Sequence, residues 1–387
     1  MAHQPQIIIV GAGIVGLSTA YTLLERGMHN VLVLEQAAVN HPRSTSASIS
    51  RLLRFEYGTD AFYSRMVKLS LEHWKELERK TQCHLYTPTG LLTLGKAGEE
   101  IRREHEITRS LGLPSELLTP QSCRKRFPQF EIKGYETLAY NATGGILHAS
   151  KCLNTLKRAI LARGGKIVET SKVTHVAHEN PGRSIHIRLN TGEKLHADRV
   201  VIAIGPWVHR LLSQLHIPVT MTRQYLLYFA GLTPTHFGSG VFPAFIERDL
   251  YGFPIHQGSR GLLKVSSHQF GHPVDPDAAI AIEPAVIART VRDARALLPD
   301  LHKATLTNID ACIYDVSPDE DFILDHVPGD ERIVFATGLS GHGFKFGPLL
   351  GQLLSSMICD TQPAVPLTRF RLARFAAQSV RQPISVA

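Results

Sequence analysis

Two stretches of this 387-residue chain carry residue types that could do chemistry, and they lie near opposite ends. Near the start, Gln6-Ile7-Ile8-Ile9-Val10 is a short apolar run of strand character, followed at once by Gly11-Ala12-Gly13-Ile14-Val15-Gly16. A helix-like stretch to Gly27 and a second buried strand, Asn30 to Glu35, come next. The glycines permit a tight turn and close backbone approach, so that a pyrophosphate can sit on the helix N-terminus. Glu35 closes the second strand, where a carboxylate can accept hydrogen bonds from a ribose. An acid there suits a free ribose and disfavours a 2′-phosphate, which argues against NADP and leaves NAD and FAD open. Far downstream stand Cys312 and then Ser340-Gly341-His342-Gly343-Phe344-Lys345. A thiol and a Gly-rich turn ending in lysine, both beyond a nucleotide fingerprint, suggest a flavin held covalently and a substrate held ionically.

A lone G-x-G-x-x-G matches many ordinary turns, but here strand, turn, helix, strand and acidic end fall in order. Phe62 to Lys80 reads as an amphipathic helix with Met66, Leu69, Trp74 and Leu77 on its apolar side. Leu91 to Leu94 reads as a strand and Ala97 to Leu111 as a polar helix. Gly144 to His148 reads as a turn back into a helix from Ser150 to Arg163. Lys166 to Glu169 and Lys172 to His178 follow as strands, with a hairpin around Thr191-Gly192. Arg199 to Ile204 is a buried strand leading into Gly205-Pro206-Trp207, a usual place for a cofactor contact at a sheet's carboxyl edge. From about Leu215 to Ile309 alternating strands dominate, such as Gln224 to Phe229 and Gly261 to Ser266, with one helix, Pro284 to Leu298. The nucleotide-type pattern returns with the strand Arg332 to Gly338, the turn to Lys345 and the helix Gly347 to Ile358.

The expected fold is therefore α/β, or α+β taken overall. A discontinuous nucleotide domain (1–86, 145–214 and 310–387) is interrupted twice by a mixed-β substrate domain (87–144 and 215–309).

An apolar fraction of 43% and a charged fraction of 20% are those of a soluble globular chain. The net charge of +8 invites a nucleic-acid reading, yet the Lys and Arg residues are scattered, with no dense basic run. A basic funnel for an anionic substrate fits better. Met1 to Pro5 lacks the pattern of a signal peptide, and no apolar run is long enough to span a membrane. Ser385-Val386-Ala387 does not match the peroxisomal Ser-Lys-Leu address, so the cytoplasm is expected. Five cysteines without close pairing or zinc-ligand spacing suit a reducing compartment.

With Ser50-Arg51-Leu52-Leu53-Arg54 added to the glycine motif, the chain resembles the sarcosine oxidase and N-methyltryptophan oxidase family. The match continues through Tyr251-Gly252-Phe253-Pro254, Lys264-Val265-Ser266-Ser267-His268, Cys312-Ile313-Tyr314, Pro318-Asp319-Glu320 and the turn from Ser340 to Lys345. These motifs keep the family's order over nearly the whole chain, and the cysteine with the Gly-His-Gly-Phe-Lys turn is specific to it. Phe62-Tyr63-Ser64-Arg65-Met66 and Gly205-Pro206-Trp207 look closest to the sarcosine/pipecolate oxidase branch.

The resemblance implies a Rossmann-type FAD domain beside a mixed-sheet substrate domain. It implies oxidation of a secondary amine in a small amino acid such as sarcosine, L-pipecolate or L-proline. Hydride passes to flavin N5, an imine forms, and dioxygen is reduced to hydrogen peroxide. Cys312 corresponds to the cysteine that bonds the flavin 8α-methyl carbon. Read without the resemblance, a cysteine in an Ala-Cys-Ile context is a small core residue; the chemistry asks for a thiolate, favoured by a nearby cation.

Arg54 and Lys345 match the pair that clamps the substrate carboxylate, a planar fork and a compact charge. Arg51 matches a residue close to the flavin ring, where positive charge stabilises the anionic reduced form. Lys264 matches the lysine at the site of oxygen activation, where a cation lowers the cost of forming superoxide. Its bland alternative is an edge-strand lysine pointing to solvent. His268, Tyr251 and Tyr314 correspond to pocket residues, although one histidine among twenty means little by itself and the tyrosines could be packing.

Further flavin contacts are implied at Gly11, Gly13, Ile14, Val15, Gly16, Glu35, Gln36, Ser50, Val173, Gly205, Trp207, Gly341, Gly343 and Phe344, with no metal. The segment before Arg51 departs from the family. Where sarcosine oxidases carry His-Gly-Asp/Gln-Thr/Ser, this chain has Ala47-Ser48-Ile49-Ser50, which keeps the hydroxyl but loses the imidazole and the acid.

The expected partners are a small amino acid and dioxygen, with no nucleic acid or membrane, and the expected state is a monomer. Three alternatives stand beside this reading. One is a dehydrogenase using another electron acceptor, or a biosynthetic imine-forming oxidase. The second is a flavoprotein with a vestigial site, against which Arg54, Lys264, Cys312 and Lys345 argue. The third is NAD-dependent hydride transfer, which would leave the Gly-His-Gly-Phe-Lys turn without a purpose.

Overall fold

A computed structural model describes residues 6–96, 98–177 and 184–376. The readings made at residues 1–5, Ala97, His178 and 385–387 lie outside the described residues. The chain divides into two compact units: Met1–Ala47, Leu153–Thr222 and Ile313–Ala387 form the first, Ser48–Cys152 and Arg223–Cys312 the second.

The first unit is built on a six-stranded sheet ordered Ile323–Val327, Asp330–Thr337, Arg199–Ile202, Ile7–Val10, Val31–Leu34, Lys166–Val168. Its five neighbouring strands from Asp330–Thr337 onward run parallel, and Ile323–Val327 is an antiparallel edge. A parallel strand covered on both faces must be apolar throughout, and Ile7, Ile8, Ile9 and Val10 are all buried. The helices Ile14–Glu25 and Gly347–Ile358 pack on each other at backbone contact, since a Cβ at Gly351 would fall 2.5 Å from the main chain of Ser18. The expected hairpin at Thr191-Gly192 joins Ile185–Leu189 to Lys194–Ala197 in a separate three-stranded antiparallel sheet with Val173–Ala177.

The second unit holds an eight-stranded mixed sheet ordered Thr305–Val316, Thr220–Ala230, Leu263–Ser267, Leu250–Phe253, Ala244–Glu247, Leu91–Gly95, Thr137–Asn141, Ser115–Leu118. Its core is aromatic: Phe130 stacks on Phe242 at 4.9 Å and meets Phe245 edge-on at 5.3 Å. The helix Ala61–Thr81 starts where Asp60 accepts the main-chain N–H groups of Phe62 and Tyr63.

Three expectations differ from the structure. Gly145–Leu147 is a strand rather than part of a turn, pairing with Arg51–Leu53 and with Tyr86–Thr87. That small sheet holds its strands together, so residues 48–86 and 145–152 cluster with the second unit rather than with the nucleotide unit. The boundary expected between 309 and 310 falls inside one continuous strand, Thr305–Val316.

Candidate active site

The glycine motif turns at the carboxyl end of Ile7–Val10. Gly11 has φ +101°, and a Cβ there would lie 2.4 Å from the carbonyl oxygen of Ala203, at the end of the adjacent strand. A Cβ at Gly16 would strike the carbonyl oxygen of Gly11 at 1.9 Å, so the helix can start this close only with glycine. Gly13 caps that helix without a side-chain hydrogen bond of its own, and Ile14 N–H donates to Ser46 Oγ at 3.0 Å. Glu35 braces the loop: its carboxylate accepts from Ala12 N–H at 2.7 Å and from Ala37 N–H at 3.0 Å. Burial pushes the Glu35 carboxyl above its ordinary pKa, and these N–H groups pull it back. A carboxylate has about four lone-pair sites, so capacity for a ribose hydroxyl remains. Gly205–Trp207 forms a short turn just beyond Ala203, with Gly205 at φ +52°. Val173 is buried in the three-stranded sheet and Gln36 is exposed.

In the same unit, the Gly-rich turn is anchored by Asp315. Its buried carboxylate accepts from Gly338 N–H at 2.7 Å and from Thr337 Oγ1 at 3.1 Å, and its carbonyl accepts from Ser340 N–H at 3.0 Å. Burial raises the pKa of the Asp315 carboxyl against those donors. Gly341, at φ +76°, lies flat against Tyr314: a Cβ would come within 2.2 Å of the tyrosine ring. Gly343 likewise leaves room for Leu339, and Phe344 is buried. Lys345 is only 4% exposed and donates to the carbonyl of His342 at 2.9 Å. A solvated surface lysine is excluded.

The second unit gathers the other cations. Lys264 sits on an interior strand, not an edge, and is 3% exposed. Its ammonium donates to Ser50 O at 2.8 Å and to Ser48 Oγ at 3.0 Å, and lies 4.6 Å from the centroid of Phe253. Burial first, and Arg51 second, push its pKa well below the ordinary lysine value, while Cys312 and Asp310 act the other way. Cys312 is half-buried on Thr305–Val316, the strand at one end of the same sheet. Arg51 and Lys264 pull its thiol down as expected, but burial outweighs them and the thiol ends above its ordinary pKa. The expected net lowering is thus not what this protein environment gives by itself.

Arg54 is half-buried, with its guanidinium 4.2 Å over the Tyr57 ring and a hydrogen bond to the Glu56 carbonyl. Two carboxylates stand by: Glu56, buried and hydrogen-bonded by Asn141 at 2.9 Å, and Glu104, which accepts from Gly58 N–H at 2.8 Å. Burial and the charge of Glu56 raise Glu104 to about 7. Tyr251 and His268 meet edge-on at 6.4 Å. Arg51, Lys264, Cys312, Arg54, Tyr251 and His268 belong to the second unit, whereas Tyr314, Lys345 and the glycine motif belong to the first.

Sequence reading missed Ser46, Asp315, Glu56 and Glu104, each of which acts on backbone or charge far away in the chain. Only Asp315 had a signal, as the next residue after the Cys312-Ile313-Tyr314 motif.

The site fits a flavin dinucleotide on a further observation. Ser50 is fully buried, and its Oγ has no hydrogen-bond partner among the described residues, a state that a bound polar group would relieve. Fold and site fit a dinucleotide-binding protein, and the comparisons with known proteins give its class. A profile of the family described as FAD dependent oxidoreductase matches residues 6–357. The chain is 33% identical to the peroxisomal sarcosine oxidase of Homo sapiens, over 97% of this chain and 98% of that one. It is 30% identical to the N-methyl-L-tryptophan oxidase of Salmonella heidelberg, over 96% and 99%. The L-proline dehydrogenase of P. horikoshii superposes with a TM-score of 0.84 at 21% identity, covering 98% of this chain and 99% of that one. The chain belongs to the FAD dependent oxidoreductase family, within its sarcosine oxidase and N-methyltryptophan oxidase group.

Proposed function

We propose that this chain oxidises small secondary-amine amino acids, such as sarcosine, L-pipecolate and L-proline, with FAD tethered through Cys312 and dioxygen as electron acceptor. The observation that supports it best is Lys264, a fully enclosed cation electrostatically coupled to Arg51 and Cys312. A buried ammonium is costly unless it meets negative charge, and reduction of dioxygen creates negative charge. This favours dioxygen over another acceptor.

When bound, FAD accepts a hydride from the substrate C–H beside nitrogen and supplies two electrons to dioxygen. The residues that would hold it are the cradle Gly11, Gly13, Ile14, Val15 and Gly16, with Glu35 and Gln36 at the ribose. Ser50, Arg51, Val173, Gly205, Trp207, Gly341, Gly343 and Phe344 would complete the contacts. Arg54 and Lys345 pair with the substrate carboxylate, and Tyr251, His268 and Tyr314 shape the amine pocket. With FAD bound, Arg51 would place positive charge beside the flavin, and Lys264 would stabilise charge developing on oxygen.

Five cysteines without close pairing or zinc-ligand spacing in the sequence support a reducing, cytoplasmic setting, and no helix among the described residues is long and apolar enough to cross a membrane. A monomer is the proposed assembly. The test is direct: purified protein supplied with sarcosine, L-pipecolate or L-proline should consume dioxygen and release hydrogen peroxide. Turnover with an artificial electron acceptor but not with dioxygen would instead make it a dehydrogenase.

A further inference from the structure

Two pieces of the sequence motifs take no part in the chemistry described above: Pro318-Asp319-Glu320, and His342 inside the Gly-rich turn. The fold of the first unit brings them together. His342 Nε2 lies 3.2 Å from the carbonyl oxygen of Glu320, and since a carbonyl only accepts, Nε2 carries the proton. The His342 ring stacks on Phe322 at 4.8 Å, and Phe322 also meets Phe346 edge-on at 5.2 Å. Lys345 rests on both of these neighbours of Phe322. Its ammonium donates to the His342 carbonyl at 2.9 Å and lies 4.9 Å from the centroid of the Phe346 ring. Phe322 stacks in addition on Phe370 at 5.8 Å, and both rings are fully buried.

Phe370 belongs to a segment, 368–375, whose arginines grip the aspartates around Phe322. Arg369 makes a fork with Asp321 at 2.6 and 2.7 Å, and Arg374 makes another with Asp319 at 2.8 and 3.0 Å. Arg371 bonds Asp325 at 2.7 Å, and Leu372 N–H donates to the same carboxylate at 2.8 Å. Arg374 also donates to the Asp321 carbonyl at 3.0 Å. Single surface ion pairs add little, but bidentate forks joined in one network fix geometry. Burial alone would raise the Asp319 carboxyl, yet the Arg374 contacts outweigh it and hold it below its ordinary pKa. The pieces so held are also strained: Glu320 and Ser340 are non-glycine residues at φ +60° and +48°. Such backbone costs free energy and persists only where its surroundings impose it.

We propose that Arg369, acting through Phe322 and His342, is a positioning residue for Lys345 and thereby sets the affinity for the substrate carboxylate. This role rests on the reading of Lys345 as half of the carboxylate clamp. Lysine is a point charge on a flexible stem, so the place of its ammonium is decided by what the ammonium meets. Here it meets the His342 carbonyl and the Phe346 ring, and both residues pack on Phe322. Arg369 fixes Phe322 twice, through Asp321 just before it and through Phe370 stacked on it. Loss of the fork lets Phe322 and Phe370 shift, and the His342 carbonyl with them.

The test uses the holoenzyme with Arg369→Gln, which removes the fork, and with His342→Phe, which keeps a ring on Phe322 but removes the bond to Glu320. In both variants KM for L-pipecolate should rise roughly tenfold while kcat holds. The kcat/KM for piperidine, which lacks the carboxylate, should not change. Arg369→Lys, which keeps the charge without the fork, should show a smaller shift of the same kind. A readout independent of turnover is calorimetric binding of tetrahydrofuran-2-carboxylate, which has oxygen where L-proline has nitrogen. Its Kd should weaken roughly tenfold in both variants. A parent that prefers the acid, with KM and Kd unaltered in Arg369→Gln, overturns the positioning role alone. An equal loss on L-pipecolate and piperidine also overturns it, because the segment then serves only the stability of the fold. A parent without preference for the acid overturns the clamp reading and this role with it. If Arg369→Gln does not fold, Arg369→Lys decides the matter by the same measurements.

Discussion

The ammonium of Lys264 donates to the main-chain carbonyl of Ser50 at 2.8 Å, which ties an interior strand of the large sheet to the segment that leads into Arg51. The proposed oxygen site would therefore depend on a contact between residues 214 positions apart. Lys264→Met should slow reoxidation by dioxygen by about 3 kcal/mol of barrier, a factor on the order of a hundred, as for other preorganised charges. Anaerobic reduction by substrate should change far less. Rapid-mixing measurements of the two half-reactions separate these; unchanged reoxidation removes Lys264 from the oxygen site.

Cys312→Ser should leave the fold intact and release all flavin when the protein is precipitated with acid, whereas the parent pellet should stay yellow. Activity should fall sharply. Flavin that stays with the precipitated variant would mean that another residue makes the bond.

Gly341→Ala tests the close approach to Tyr314. The substitution puts a methyl group 2.2 Å from the ring and a side chain at φ +76°, so a loss of roughly 2 kcal/mol is expected. Thermal unfolding with and without added FAD measures it. A variant as stable as the parent would show that the turn can shift away from Tyr314 without cost.

The parts legible in the sequence were those written as continuous local patterns. Ile7 to Val10, Arg199 to Ile202 and the helix Gly347–Ile358 are largely apolar and buried, and their boundaries fall close to expectation. The strand that carries Cys312 was not legible, because Thr305–Val316 lacks a regular alternation, with Thr307 and Asn308 both exposed and Tyr314 and Asp315 both buried, and mixes polar with apolar residues. Gly145–Leu147 looked like a turn because Gly144 and Gly145 suggest one, while its strand state comes from distant partners at Arg51–Leu53 and Tyr86–Thr87. Site residues came from motif order, which the family supplied. Ser46 stayed invisible, since a hydrogen bond to a remote main-chain N–H leaves no periodic trace, and Asp315 was marked only by its place after Cys312-Ile313-Tyr314.

Acid should destabilise the fold through His256. Its pKa is about 4 in the folded protein against an ordinary value of 6.5, so the unfolded chain takes up a proton first as pH falls. Stability is then present above pH 6.5 and is lost progressively between pH 6.5 and 4, by on the order of 3 kcal/mol for this one group. His148 adds a smaller loss over the same window, because it is partly exposed to solvent. Denaturant unfolding at about pH 7.5 and about pH 4.5 should show the loss, and His256→Gln should flatten the slope. An equal slope in parent and variant would mean that His256 is protonated in the folded state.

The central claim, a carboxylate-bearing secondary amine oxidised with dioxygen, is tested by kcat/KM for L-pipecolate against piperidine, followed by peroxide release. Loss of the carboxylate leaves Arg54 and Lys345 without their partner and should cost at least about 2 kcal/mol in the transition state, roughly a thirtyfold preference for the acid. Arg54→Ala should lose most of that preference. Equal kcat/KM for the two compounds in the parent would contradict the carboxylate clamp and the substrate class with it.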